Sequence, residues 1–138
     1  MFSLQTIFGK GDKFYGLLEA SAAGARESAR ALVELLAAPP QLRSLEKFKL
    51  ARQREKNLQA QISQELVNTF VTALEREDID ALSTTLYKIP KIVEKFAERW
   101  TLAADRLNDV DFASRAVMLE RAAEVIEEMV GLLRKGMN

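Results

Sequence analysis

The sequence predicts an all-α protein, built as an elongated antiparallel bundle of four helices. Apolar residues recur every three or four positions along four long segments, which is the period of one face of a helix. Runs of valine, isoleucine and threonine that alternate with period two, which would predict strands, are missing. Only 6 glycines and 3 prolines occur in 138 residues, so the connections are short and consecutive helices should lie antiparallel.

The first helix, α1, is predicted at residues 12–37. Asp12 follows two glycines and is the expected N-cap. The Pro39–Pro40 pair ends the helix, because proline lacks the backbone N–H that the hydrogen-bond ladder needs. The apolar or small residues of its packing face are Phe14, Leu18, Ser21, Ala25, Ala29, Leu32 and Leu36.

The second helix, α2, is predicted at 44–75, and its first residue, a serine, is the expected N-cap. A polar, highly charged stretch between Phe48 and Leu58 interrupts its packing face, where only Leu50 and Ala51 are apolar. Helix α2 is expected to be about 45 Å long, as is α3, at 1.5 Å per residue. The packing face of α2 consists of Leu45, Phe48, Leu58, Ile62, Leu66, Phe70 and Ala73.

The third helix, α3, is predicted at 78–107 with Asp78 as N-cap. Its apolar residues alternate strictly at spacings of three and four, the heptad pattern of helices that pack side by side. Trp100 lies in this pattern and is expected in the core. The packing face consists of Ile79, Leu82, Leu86, Ile89, Val93, Phe96, Trp100, Ala103 and Leu107.

The fourth helix, α4, is predicted at 111–135, and Gly136 is the expected signal for its end. One face of this helix carries the apolar residues that should meet the rest of the bundle. They are Phe112, Ala116, Leu119, Ala123, Ile126, Val130 and Leu133.

The composition excludes several classes of function. Lysine plus arginine and aspartate plus glutamate number 20 each, and a net charge of zero argues against a dedicated nucleic-acid-binding protein. The sequence contains no cysteine and no histidine. Disulfides, thiolate nucleophiles, imidazole bases and the commonest zinc ligands are therefore missing, and no serine or threonine lies in a catalytic motif. We predict that the protein is not an enzyme, has no catalytic residues and needs no cofactor.

The N-terminal segment does not predict a secretory signal, because it lacks a charged start and its apolar residues are interrupted by polar ones. No apolar run approaches the roughly 20 residues that span a bilayer. The protein is therefore expected to be cytoplasmic and not membrane-spanning.

A row of basic residues on α3 lies off its packing face and should point outward. Glu94 and Glu98 alternate with these residues, as on an ordinary solvated helix face. The alternative is a surface that binds an anion, an acidic protein or an anionic membrane. The row consists of Lys88, Lys91, Lys95 and Arg99, spaced three and four apart.

The segment NTFVTALEREDIDAL at 68–82 resembles the F-x-T-P-x-D/E-R-E-D-I-x-x-L signature of the PhoU-like phosphate transport regulators. The start of the chain, IFGKGDKFYGLLEASA, is similar to that of the branch that accompanies Pit phosphate transporters. Ala73 stands where the family usually has proline. The resemblance implies a single PhoU-like domain at 1–138, made of the first three-helix repeat plus one further helix. The helices of a second repeat would be missing, so α4 should expose apolar surface that self-association covers.

Members of this family bind metal clusters through acid pairs four residues apart on the second and third helices. The resemblance places these pairs at Arg52 and Lys56 and at Tyr87 and Lys91, so none of the four positions is acidic. Since lysine and arginine repel a divalent cation, no metal site is expected there. The resulting candidate surface for a partner or an anion consists of Arg52, Lys56, Lys88, Lys91 and Lys95.

The resemblance implies a non-enzymatic accessory or regulatory protein of phosphate transport, which acts through protein contacts. Its expected partner is a phosphate transporter or a signalling protein at the inner face of the membrane, and the chain is expected to form a homo-oligomer. One alternative is a purely structural, self-associating helical module. The other is a PhoU-like protein that binds metal through different acids, namely Glu75, Glu77, Asp78 and Asp80.

Overall fold

A computed structural model describes the backbone of residues 4–72 and 74–136 and the side chains of residues 13–72 and 74–135. This part of the chain contains four long α-helices and no strand, so the predicted all-α bundle is confirmed. Single turns of 3₁₀ helix follow the first and third helices, at Pro40–Leu42 and Ala104–Arg106. The four helices are α1 at Leu4–Ala37, α2 at Glu46–Asn68, α3 at Arg76–Ala103 and α4 at Phe112–Gly136.

Helix α1 is the centre of the bundle, because it packs against each of the other three helices. Helix α2 also packs along α3. Ion pairs between α1 and its neighbours join the start of one helix to the end of the other, so α2 and α4 both run antiparallel to α1. These pairs include Lys13–Glu65, Glu34–Lys47, Arg30–Glu120, Arg26–Glu127 and Glu19–Arg134.

The core consists of two clusters of buried side chains, one towards each end of the bundle. Trp100 belongs to the first cluster as expected, and the guanidinium of Arg43 lies 4.6 Å from the centre of its ring. The first cluster consists of Ala31, Leu32, Leu35, Phe48, Val93, Ala97, Trp100, Ala104 and Ala116. The second consists of Phe14, Leu18, Ala22, Ile62, Ile79, Leu86 and Val130. Every heptad position of α3 is buried or half-buried, which confirms its predicted packing face.

The prediction that Asp12 caps α1 is wrong, because the helix begins at Leu4 and continues through Gly9 and Gly11. Glycine within a helix costs about 1 kcal/mol relative to alanine but does not clash with the preceding turn, as proline does. A pair of glycines is therefore a weak signal for a helix boundary, whereas the Pro39–Pro40 pair does end α1 as predicted.

Helix α2 ends at Asn68, seven residues before the predicted boundary, so Phe70 is not a core residue but 96% exposed. The guanidinium of Arg76 donates a hydrogen bond to the carbonyl of Leu66, in the last turn of α2, where carbonyls lack a partner within the helix. It also bonds the carbonyls of Thr69 and Phe70, just after the helix. Ala73, also predicted in this packing face, lies outside the described residues. At 23 residues, α2 is about 35 Å long rather than 45 Å.

Ser44 is not the N-cap of α2, because the helix begins at Glu46 and Leu45 is its N-cap, but Ser44 Oγ still accepts a hydrogen bond from the N–H of Glu46. Leu50, expected to continue the packing face, is instead mostly exposed. Asp78 is not the N-cap of α3, because that helix begins at Arg76 and places Asp78 in its first turn. Negative charge in this turn still interacts favourably with the helix dipole.

None of the helices, over the residues that the structure describes, has a stretch long and apolar enough to cross a membrane.

Candidate docking surface on helices α2 and α3

The four positions that the resemblance assigns to acid pairs lie together in the structure, although they come from two helices. Arg52 and Lys56 are one turn apart on α2, and Tyr87 and Lys91 are one turn apart on α3. The guanidinium carbon of Arg52 lies 4.8 Å from the centre of the Tyr87 ring, within the range of a cation–π interaction. The antiparallel packing of α2 against α3 thus brings the two motifs to one place.

Arg52 is a packing residue rather than a freely exposed cation, which corrects its place in the predicted surface. Its side chain is only 16% exposed. Its Nε lies 3.7 Å from a carboxylate oxygen of Glu94 on α3, so its charge is partly neutralised. Its Nη1 is buried and makes no hydrogen bond within the described residues. Arg52 therefore belongs to the contact between α2 and α3 rather than to the exposed surface.

The other predicted residues form an accessible positive surface. Lys56, Lys88 and Lys95 are exposed and Lys91 is half-buried. In the part of the chain that the structure describes, no ion pair involves any of these four lysines. We refer to Lys56, Lys88, Lys91 and Lys95 together as the basic surface. Because its charges are not neutralised internally, it can attract an anionic partner.

The phenol of Tyr87 reports the positive potential at this surface. The Arg52 guanidinium, first as a hydrogen-bond donor and then as a charge, lowers the pKa of Tyr87, and the charges of Lys56 and Lys91 add to the effect. Each of these groups favours the ionised phenolate. Arg52, Lys56 and Lys91, three of the four positions that the resemblance assigns to metal ligands, thus all lower the pKa of the hydroxyl group at the fourth, Tyr87.

The residues at the four positions do not fit the metal cluster of the family. A hard cation requires several carboxylate or carbonyl oxygens, and this set offers one phenol oxygen among three cations. The alternative acids at the start of α3 are all exposed, and over the described residues no three acidic side chains lie close enough together to hold a metal ion. These acids are Glu75, Glu77, Asp78 and Asp80.

A second polar feature, which the sequence reasoning missed, is the carboxyl group of Glu55 between α1 and α2. Glu55 is 1% exposed, and its Oε2 accepts a hydrogen bond of 2.7 Å from the hydroxyl of Ser21. Its Oε1 is buried and makes no hydrogen bond within the described residues. Burial raises the pKa of Glu55 to about 7, against the opposing effect of the Ser21 hydrogen bond.

The backbone of α1 leaves room for this carboxyl group at Gly24, where an added Cβ would overlap Glu55 Oε1. A sequence signal was available. Phe48, Glu55 and Ile62 are the buried residues of α2 among those described, and they are seven positions apart. Heptad spacing therefore identifies Glu55 as a core position even though its neighbours are charged.

Comparisons with known proteins add no identification, because the chain matches no protein-family model and is not significantly similar to any curated protein or solved structure. The fold, the basic surface and the buried carboxyl group of Glu55 are therefore described from the structure of this chain alone.

Proposed function

We propose that this chain is a non-enzymatic, PhoU-like accessory or regulatory protein of phosphate transport. In this proposal it works in the cytoplasm, where it contacts a phosphate transporter or a signalling protein at the inner face of the membrane. The observation that carries the proposal is the convergence of the four replaced positions on one surface of α2 and α3. The lysines of this surface form no ion pair within the described residues. The resemblance at 68–82 supports the association with phosphate transport.

The chemistry of the surface favours a contact with an acidic protein over a metal site. Ammonium groups repel a divalent cation, and Arg52 already uses its charge on Glu94 within the bundle. Exposed lysines at the rim of an interface accelerate association with a partner of opposite charge and help to orient it. A transporter loop rich in aspartate and glutamate is the kind of partner that fits.

The residue types of the chain favour a role in protein contact over a role in catalysis. The sequence contains no histidine and no cysteine. Glu55, the carboxyl group whose pKa is raised, is enclosed between α1 and α2 at 1% exposure and has no access to a substrate. We therefore assign the basic surface to recognition.

Co-purification tests this function. A tagged chain is incubated with detergent-solubilised membranes that contain the phosphate permease of the same organism, and the captured permease is quantified. We expect the parent chain to retain the permease and the double variant Lys56→Glu/Lys91→Glu to lose it. The matched control is Arg106→Glu/Lys135→Glu, which changes the net charge equally at two exposed positions away from the basic surface. Equal capture by the parent and by Lys56→Glu/Lys91→Glu would contradict the proposal.

Elemental analysis of the purified chain separates this proposal from the metal-binding alternative. We expect iron, zinc and manganese at far below one atom per chain, because the four positions lack carboxylates. A stoichiometric amount of any of the three metals would favour the alternative in which other acids bind metal. In that case addition of the metal would also raise the thermal unfolding midpoint.

A further inference from the structure

Helix α4 carries a second apolar stripe in addition to the face that packs on α1. Its large members are mainly accessible, and Met118 and Met129 are 69% and 62% exposed. The stripe consists of Met118, Ala122, Val125, Met129 and Leu132, all exposed, and we call it the outer stripe. An exposed apolar stripe of this extent on one helix is a mark of an interaction surface.

The spacing of the outer stripe indicates what kind of element covers it. Its members alternate at intervals of four and three residues, the heptad pattern of a helix that packs along another helix. The inner face of α4 packs on α1 and follows the same heptad repeat, since its buried residues Ala116, Ala123 and Val130 are seven positions apart. The outer stripe is therefore suited to a second helix of similar length that packs along α4, rather than to a loop or a flat sheet.

The charges beside the outer stripe indicate which helix fits. Arg121 and Glu128 are both exposed, lie seven residues apart on the same edge of the stripe, and form no ion pair within the described residues. In an antiparallel pair of α4 helices related by a two-fold axis, Arg121 of each chain lies on the same side of the interface as the partner's Glu128, offset by two residues or about 3 Å, within reach of the long arginine side chain. Two ion pairs then form from one self-complementary sequence.

The apolar layers of the same arrangement are also complementary. With the two-fold axis between residues 123 and 124, Met118 faces the partner's Met129 and Ala122 faces the partner's Val125. Met118 and Met129 meet at the two ends of this contact and Ala122 lies near its centre, so the helices can approach closely. Leu132 lies beyond the contact, opposite the partner's Arg115. A parallel pair has no equivalent ion pairs, because the other edge of the stripe carries the apolar Ile126.

We propose that the outer stripe is a docking site for a second copy of this chain, which forms an antiparallel two-fold dimer through α4. The interaction is independent of the proposed function, because the basic surface belongs to α2 and α3. It also assigns the expected self-association to specific residues. Both surfaces are available at once, so a dimer presents two basic surfaces to a partner and binds it with the advantage of two linked contacts.

Sedimentation velocity over a range of protein concentrations tests the dimer, and circular dichroism confirms that each variant is folded. We expect the parent chain to form dimers and Met129→Glu to remain monomeric, since the variant places a charge in the apolar layer. The control Glu98→Gln changes an exposed residue of α3 and should leave the dimer intact. A parent chain that stays monomeric at every concentration, or a Met129→Glu variant that dimerises as the parent does, would overturn the proposal.

Charge exchange tests the antiparallel arrangement. Arg121→Glu and Glu128→Arg should each raise the dimer dissociation constant about tenfold, because two ion pairs become two repulsions. The double variant Arg121→Glu/Glu128→Arg should recover the parent constant, and a mixture of the two single variants should form heterodimers in preference to either homodimer. If the double variant dimerises no better than the single variants, the antiparallel pairing is wrong.

Discussion

The guanidinium of Arg52 on α2 lies 4.8 Å from the centre of the Tyr87 ring on α3. This contact joins two positions that are far apart in the sequence and that the family resemblance assigns to separate metal-binding pairs. Glu94, the ion-pair partner of Arg52, belongs to the same contact between the helices. Arg52 thus takes part in the packing of α2 on α3, while Lys56, Lys88 and Lys95 are exposed.

The titration of Tyr87 tests the positive potential at this contact. In a Tyr15→Phe background, Tyr87 is the single tyrosine, and its ionisation is followed by the near-ultraviolet absorbance of tyrosinate. We expect a pKa below the ordinary tyrosine value, because Arg52, Lys56 and Lys91 favour the phenolate. Lys56→Gln and Lys91→Gln should each raise this pKa, whereas Arg106→Gln, the control, should not change it. An unchanged Tyr87 pKa in both lysine variants would show that the lysines lie too far from the ring to act on it.

The buried carboxyl group of Glu55 should make the stability of the fold depend on pH. The unfolded chain loses the Glu55 proton near pH 4.5, while the folded chain keeps it up to about pH 7. The stabilisation from protonated Glu55 is therefore complete below pH 4.5 and is lost as the pH rises through 7. The free energy of unfolding should fall by about 3 kcal/mol over this interval because of this one group.

Chemical unfolding of Glu55→Gln at about pH 5 and about pH 8 measures this contribution. Glutamine keeps an oxygen that accepts the Ser21 hydrogen bond but carries no proton to lose, so its stability should change less with pH than that of the parent. Glu98→Gln, an exposed substitution on α3, should keep the pH dependence of the parent. If Glu55→Gln and the parent lose the same free energy between the two pH values, Glu55 is not the titrating group.

Replacement of Gly24 by alanine should destabilise the protein, whereas the same replacement at Gly16 should stabilise it. Both glycines lie inside α1, where alanine is favoured by about 1 kcal/mol. A Cβ at Gly16 meets no atom within 4 Å, so Gly16→Ala should stabilise the protein by about that amount. At Gly24 the new methyl group displaces the carboxyl of Glu55 from its place beside Ser21, so Gly24→Ala should destabilise the protein by about 1–3 kcal/mol.

Thermal or chemical unfolding of the two alanine variants makes the comparison directly. The pair is matched, since each variant adds one methyl group to the same helix. Equal stabilisation by both substitutions would mean that the Glu55 side chain moves aside without loss of a favourable contact.

Much of the fold could be predicted because it depends on local periodicity. The heptad pattern of α3 from Ile79 to Ala103 identified a helix and its buried face, since burial follows from residue spacing. The predicted end at 107 was four residues too late, because a 3₁₀ turn at Ala104–Arg106 follows the helix. The end of α2 could not be predicted in this way. Arg76 binds carbonyl groups there from six to ten residues later in the chain, a contact that local periodicity does not reveal. Phe70 was consequently assigned to the core, although it is exposed.

The exposure of the residues in the candidate site was predictable for the lysines but not for Arg52. The spacing of Lys88, Lys91 and Lys95 indicated an outward face, and these residues are exposed or half-buried. Arg52 is mostly buried because it lies against Tyr87 and Glu94 of α3. This contact forms only when α2 packs on α3, so the spacing within α2 does not reveal it. Glu55 was missed because its charge suggested a solvated position, while its heptad register placed it in the interior.

The affinity of the purified chain for the isolated phosphate permease, measured at several salt concentrations, addresses the role of the basic surface most directly. We predict that binding weakens steeply as salt increases, because screening removes the attraction between the lysines and an acidic partner. Lys56→Glu/Lys91→Glu should bind more weakly at low salt and show a much smaller salt dependence, while Arg106→Glu/Lys135→Glu should behave as the parent does. Binding that is independent of salt and equal for the parent and Lys56→Glu/Lys91→Glu would contradict a docking role for this surface.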